Sequence, residues 1–302
     1  MRRPTLTVLA GVVFVFVVLL AGVATNYSEP RIERRAQVLR WKISGAIPYV
    51  TWYQTMRALL PSDWRYPRVA PADQPKEKSR GQEPCPVLWQ TPIGDFWGQR
   101  NDDITLADLP HLERYLRGPV TIRSGDVVVD VGSQIGTFTR VALDRGAGLV
   151  VAIEPNPGNN ACFKQTFAKE IAERRVILLE EALWDSSGTM KFTIASRSDG
   201  GAIASEFDPT LGGVQIVDVP TTTLDDAVQR LKLPRVDFIK WAMSGARHPL
   251  LGSRQTFSRF RPRMVMVICI SPDEAVTLPK IVLEAVPTYH VFTNEVELAY
   301  FY

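Results

Sequence analysis

Cysteine is scarce in this chain. Cys85, Cys162 and Cys269 are the only three in 302 residues, and no two share the CxxC spacing of a zinc or redox motif. An odd, widely separated set argues for neither a zinc site nor a disulfide framework. Histidine is as sparse, with His111, His248 and His290 scattered, so no metal site is expected. An excess of one charge is also missing. Lys and Arg total 35 against 32 Asp and Glu, a net charge of +3, and the basic residues form no long block. That balance excludes nucleic acid as the expected partner. There is no internal repeat and no low-complexity tail.

A long uncharged run is present, Val8 to Ala24, VLAGVVFVFVVLLAGVA. With Leu6, Thr7 and Thr25 it reaches the roughly 20 residues needed to cross a hydrocarbon core of about 30 Å. A cleaved signal peptide is the alternative, given Arg2, Arg3 and the small residues Gly22-Val23-Ala24, but the run exceeds the usual apolar region of about 7–15 residues. A single-pass membrane anchor is the expectation for residues 1–30. The heavier basic side follows the span (Arg31, Arg34, Arg35, Arg40, Lys42), which places the globular part in the cytoplasm. Arg2 and Arg3 are the competing signal. Ile32 to Leu60 reads as helix broken at Pro48, with Trp41, Tyr49, Trp52 and Tyr53 interleaved with basic residues. Such a helix suits a membrane interface or packing on the domain. Pro61 to Pro92 reads as a proline-rich tether, so residues 31–86 form a juxtamembrane segment and the domain spans 87–302.

Within that domain, strands and helices alternate as in a doubly wound parallel α/β sheet. A helix is expected over Leu106–Leu116. Strands are expected at Val127–Val131, Leu149–Glu154, Val176–Leu179, Val236–Lys240 and Arg263–Ile270. Lys191–Ala195 and Val214–Val219 read as an added antiparallel pair. Tyr289–Thr293 and Leu298–Tyr302 read as a closing hairpin.

The organising stretch is GDVVVDVGSQIGTFTR, Gly125 to Arg140. A β-branched run leads into a glycine turn and then a helix, an arrangement that faces backbone N–H groups toward a ligand. The turn, Gly132-x-x-x-Gly136, lacks the central glycine of a dinucleotide fingerprint, which counts against a nicotinamide-dependent oxidoreductase. A ligand with an amino-acid head suits it better. Asp130 could meet an ammonium group, and amides around Ser133, Gln134, Gly136 and Thr137 a carboxylate. Glu154, in IEPNP, offers two acceptor oxygens to the hydroxyls of a ribose. Glu181 and Ala182 follow the third strand, where an adenine amine would sit. These acids fall at the carboxyl ends of successive strands, where open α/β sheets bind ligands.

These residues resemble the FkbM family of S-adenosylmethionine-dependent methyltransferases. The likeness rests on TPIGDFW (Thr91–Trp97), DVGSQIGTFTR (Asp130–Arg140), VAIEPNP (Val151–Pro157), EALWDSSG (Glu181–Gly188), VPTTTLDD (Val219–Asp226) and VDFIK (Val236–Lys240). It implies a seven-stranded, Rossmann-like sheet with a C-terminal antiparallel hairpin, S-adenosylmethionine as cofactor, and methyl transfer to a hydroxyl of a sugar, lipid-linked or secondary-metabolite small molecule. The chain departs from the family after the fourth strand. Where acids stand in I-K-x-D-x-E-G-A-E, it carries Ala242, Ser244 and Arg247. Lys240 is the polar group retained there, as a cofactor contact, an acceptor contact or a strand-end lysine. Two readings follow: a methyltransferase working by orientation alone, or a membrane-tethered binding or scaffold protein on the same fold.

Overall fold

The computed structural model describes residues 29–58, 74–102, 106, 109–194, 202–203, 215–243, 246–268, 273–294 and 297–302. The apolar run at 8–24 lies outside the described residues, as do most of the glycine-rich insert near 198–213, Ser244 and Gly245. Among the described residues, no helix is long and apolar enough to cross a membrane. The chain divides into two compact units, residues 1–68 with 292–297, and residues 69–291 with 298–302.

In the first unit, helix Glu29–Ser44 and helix Trp52–Ala58 are separated around Pro48, as expected. Gly45 takes a left-handed φ of 76° there. Thr51 and Gln54 form a reciprocal capping box, Gln54 N donating to Thr51 Oγ1 at 3.2 Å and Thr51 N to Gln54 Oε1 at 2.7 Å. Ile43, Trp52 and Tyr53 are exposed.

The second unit opens with strands β1 Lys76–Arg80, β2 Val87–Thr91 and β3 Gly94–Gly98, a three-stranded antiparallel sheet. The charged run Lys76-Glu77-Lys78, expected within a tether, is therefore a paired strand, so regular structure begins before Val87. Instead of the α-helix expected over Leu106–Leu116, a 3₁₀ helix spans Leu109–Tyr115. Pro110 lies near its start and supplies no N–H for a longer α-helix.

The chain then alternates as read from the sequence: β4 Val127–Val131, helix Thr137–Asp144, β5 Leu149–Ile153, helices Pro157–Thr166 and Ala168–Ala172, and β6 Val176–Leu179. Strands β7 Ala182–Leu183, β8 Gly188–Ile194, β9 Ala202–Ile203 and β10 Gln215–Thr222 form a separate sheet in the order β7-β10-β8-β9. The expected antiparallel pair is β8 with β10. Helix Leu224–Arg230, β11 Phe238–Trp241, helices Arg247–Leu251 and Arg254–Phe260, β12 Arg263–Val267, helix Glu274–Ala285, β13 Val291–Asn294 and β14 Leu298–Phe301 complete the chain.

The main sheet has seven strands in the order β13-β14-β12-β11-β4-β5-β6. Strands β6, β5, β4, β11 and β12 run parallel, and β14 is antiparallel to β12. This is the expected doubly wound sheet closed by a C-terminal hairpin. Its central strands β4 and β11 are buried along their whole length, which is why both read as unbroken apolar runs apart from Asp130 and Lys240. Phe138 reaches from helix Thr137–Asp144 to stack on Phe238 at 6.1 Å, and it meets the edge of Tyr115 at 5.7 Å.

The sequence reading found no support for a disulfide framework. Cys85 and Cys162 are bonded across 77 residues, with their Cα atoms 5.3 Å apart and both side chains fully buried. Cys85 lies between β1 and β2, and Cys162 lies in helix Pro157–Thr166. Their proximity comes from packing the three-stranded sheet on that helix, where Trp97 N donates to Thr166 Oγ1 at 2.9 Å. Chain spacing carries no trace of such a contact.

Candidate functional site

The main sheet runs outward from β4 through β5 to β6, then returns to place β11 on the other side of β4. The strand order reverses between β4 and β11, and open α/β sheets bind ligands at that crevice. Asp130 and Lys240 are direct register partners on these two strands. They form a buried ion pair at 3.0 Å. Thr139 donates its hydroxyl to the other Asp130 oxygen at 2.8 Å. Lys240 Nζ also donates to the carbonyls of Gly132 at 2.7 Å and Val131 at 3.3 Å. The sequence left Lys240 as a cofactor contact, an acceptor contact or a strand-end lysine, and its bonds add a structural part to any of these. It ties the β4 carboxylate to the turn above it.

That turn is left-handed at three of five positions, with φ of 71° at Gly132, 51° at Gln134 and 93° at Gly136. Two are glycine for a packing reason as well. A Cβ on Gly132 would lie 2.0 Å from the carbonyl oxygen of Ala242, and one on Gly136 would lie 2.2 Å from the Phe167 ring. The segment after β11 thus lies directly on the turn, held by Ala242 N donating to Val131 O at 3.1 Å.

Several amides expected to face a ligand carboxylate have partners within the protein. Gly132 N and Ser133 N both donate to Ile153 O, at 3.0 and 3.2 Å, and Gly136 N donates to Ser133 O at 2.8 Å. Gln134 N donates to Glu154 Oε2 at 2.9 Å. Thr137 opens the following helix behind Gly136 as its N-cap.

Glu154 ends β5 and is buried. Its Oε1 accepts from Asn156 N at 3.0 Å and from Asn159 Nδ2 at 3.2 Å. Burial pushes its carboxyl pKa up, offset in part by these donors and by the nearby Lys240 charge. The turn after β4 and the acid after β5 are therefore one hydrogen-bonded unit. Beside that unit, Ser133 Oγ and Asn156 Nδ2 are buried without a partner among the described residues.

At the position expected for the adenine amine, the acids carry ion pairs. The Glu181 carboxylate pairs with Arg230 at 2.5 Å, and Glu180 pairs with Lys164 at 2.6 Å. Ala182 is buried in β7, beside Thr221 of β10. Beyond β11, Trp241 is fully buried and packs edge-on against Phe257 at 6.1 Å. Arg247 is the first residue of helix Arg247–Leu251 and is exposed.

One pair escaped the sequence reading. His248 Nδ1 lies 2.6 Å from Asp185 Oδ2, and its ring stacks on Trp184 at 4.5 Å. The His248 hydrogen bond is the main cause of a lowered Asp185 pKa. The only signal for it was Asp185 within EALWDSSG, since an isolated histidine 63 positions away has no spacing rule.

Residues 130–288 match the methyltransferase FkbM domain family. No curated protein matches the chain by sequence. Among solved structures, it is similar to the methyltransferase FkbM from Methylobacillus flagellatus, with 15% identity and a TM-score of 0.47. That match covers 68% of this chain and 56% of the other, so the chain spans little more than half of that protein's length. A precorrin-6y C5,15-methyltransferase from Geobacter metallireducens is 14% identical with a TM-score of 0.36, over 64% of this chain and 84% of the other.

Proposed function

We propose, since the chain belongs to the FkbM methyltransferase family, that it binds S-adenosylmethionine at the carboxyl ends of β4 and β5 and transfers a methyl group to a hydroxyl of a small molecule. A sugar, lipid-linked or secondary-metabolite hydroxyl is the acceptor class. The apolar run at 8–24 would hold the protein at a membrane.

The observation that carries the donor half is the Gln134–Glu154 unit with two unsatisfied buried groups beside it. A buried polar group left unpaired costs about 1–3 kcal/mol, so a ligand that supplies partners to Ser133 Oγ and Asn156 Nδ2 recovers that cost. The residue types fit the ligand. Glu154 can exchange its N–H donors for ribose hydroxyls. Ser133 and the helix start at Thr137 can take the amino-acid carboxylate. Asp130, Lys240 and Thr139 hold the turn in place.

S-adenosylmethionine, when bound, supplies an electrophilic methyl on a sulfonium. On the acceptor side Ala242 offers no carboxylate, and the hydroxyl of a serine, the residue type at 244, is too weakly acidic to serve as a base unaided. The protein's contribution there is orientation, which can lower a barrier by roughly 7–11 kcal/mol. A second reading, donor binding without turnover, is favoured by those same substitutions and by the Ala242 carbonyl seated on Gly132.

Thermal unfolding with added S-adenosylmethionine tests the donor half. Ligand at 100 times its Kd adds about 2.7 kcal/mol, so the midpoint should rise by several degrees. Glu154→Ala should lose most of that rise. No shift at millimolar ligand sinks the reading. A shift without methyl transfer to any hydroxyl acceptor supports the second.

A further inference from the structure

The Cys85–Cys162 bond joins two segments that the donor site depends on. Cys85 sits in a loop closed by its own backbone bonds, Gly81 N to Pro86 O at 2.9 Å and Cys85 N to Gln82 O at 3.0 Å. Cys162 belongs to the helix that starts at Pro157, three residues after Glu154. Asn159 and Asn160 of that helix donate to the Glu154 side chain at 3.2 Å and to its carbonyl at 2.9 Å. Around the bond, Phe96 meets Phe167 edge-on at 6.3 Å, and Phe167 in turn fills the space behind Gly136. The bond therefore fastens the opening three-stranded sheet onto the element that holds Glu154 and buttresses the glycine turn.

A Cα separation of 5.3 Å falls within the range that a disulfide requires. Both cysteines are fully buried, so neither is placed as an exposed reactive thiol. Bonds of this kind persist in oxidising compartments and are rare where glutathione and thioredoxin keep thiols reduced.

From this we infer that the globular domain matures as the Cys85–Cys162 disulfide on the non-cytosolic side of the membrane. This reverses the orientation expected from the basic residues after the apolar run and sides with Arg2 and Arg3 on its other flank. The two thiols lose two protons and two electrons as the S–S bond forms. Those electrons and protons pass to a disulfide-bearing oxidant, a thiol oxidoreductase or a small-molecule disulfide, whose S–S bond is reduced to two thiols. The inference does not depend on donor binding. If it holds, a cytosolic donor would have to be delivered across the membrane, which favours the scaffold reading over methyl transfer.

The experiment uses the full chain in intact cells whose outer coverings are removed so that protease reaches the outer face of the membrane that holds it. Free thiols are trapped in acid and blocked, the remainder is reduced and labelled, and peptides are read by mass spectrometry. In parallel, external protease is added before and after permeabilisation. The expected result is label on Cys85 and Cys162 only after reduction, and digestion of the domain before permeabilisation. Both cysteines blocked without reduction overturns the bond. An intact bond in a domain protected until permeabilisation overturns the orientation. Should a Cys85→Ser, Cys162→Ser chain fail to accumulate, thiol mapping of the unaltered protein still decides. The thermal shift with S-adenosylmethionine, measured on the oxidised protein, reports separately on the donor site.

Discussion

Lys240 and Asp130 face each other at 3.0 Å across β11 and β4, buried beneath the glycine turn. A buried pair contributes little net stability as a unit, but removing one partner leaves the other charge stranded. Lys240→Met should therefore lower stability by about 3–5 kcal/mol. The double variant with Asp130→Asn should recover part of that loss. Denaturant titration of the four proteins gives the coupling, and strictly additive losses would refute the pairing. Because Asp130 also supports the turn, loss of donor binding in Asp130→Ala would not by itself show that it touches the ligand.

Gly132 and Gly125 separate backbone strain from packing. Both have positive φ, 71° and 82°, but an added Cβ meets Ala242 O at 2.0 Å in the first and nothing within 4 Å in the second. Gly125→Ala should cost about 1–3 kcal/mol for its left-handed backbone. Gly132→Ala should cost distinctly more, because the segment after β11 must move. Equal losses in thermal unfolding would mean that the segment does not rest on the turn.

The Glu154 carboxyl is raised by burial, so the folded state holds its proton more tightly than the unfolded state. Stability should fall as pH rises from the ordinary glutamate range through the raised value, and level off above it. Urea midpoints for the protein and Glu154→Gln across roughly pH 4 to 8 should differ in slope, with the variant flatter. Parallel slopes would show that the carboxyl is not perturbed.

His248 lowers the Asp185 carboxyl through its hydrogen bond. The stability this brings is present above the ordinary aspartate range and lost as pH falls through the lowered value. His248→Phe keeps a ring against Trp184 and removes the donor. NMR titration should then find the Asp185 pKa moved up toward its ordinary range; an unmoved value would place the cause elsewhere.

The disulfide closes a loop of 77 residues. Chain entropy alone assigns such a loop about 4–5 kcal/mol. Replacing both Cys85 and Cys162 with serine should lower the unfolding midpoint strongly, and added reductant should have no further effect on that variant. If the midpoint does not change, the bond is dispensable to the fold.

Much of this protein was legible in its residues because the code concerned is local. Five β-branched or acidic residues at 127–131 can only be a short buried strand. Left-handed turns call for glycine at 132 and 136, and the alternation of strands and helices yields the parallel sheet with its closing hairpin. Asp130 and Glu154 could be placed at strand ends, and Gln134 in the turn, on the same grounds. What tertiary structure alone decided is partnership. It gave Asp130 to Lys240 and Thr139, Glu181 to Arg230, His248 to Asp185 and Cys85 to Cys162. It also paired the charged run at 76–80 with β2. Each of these joins residues brought together by packing, and packing depends on how the whole core fills space, which no local spacing of residues records.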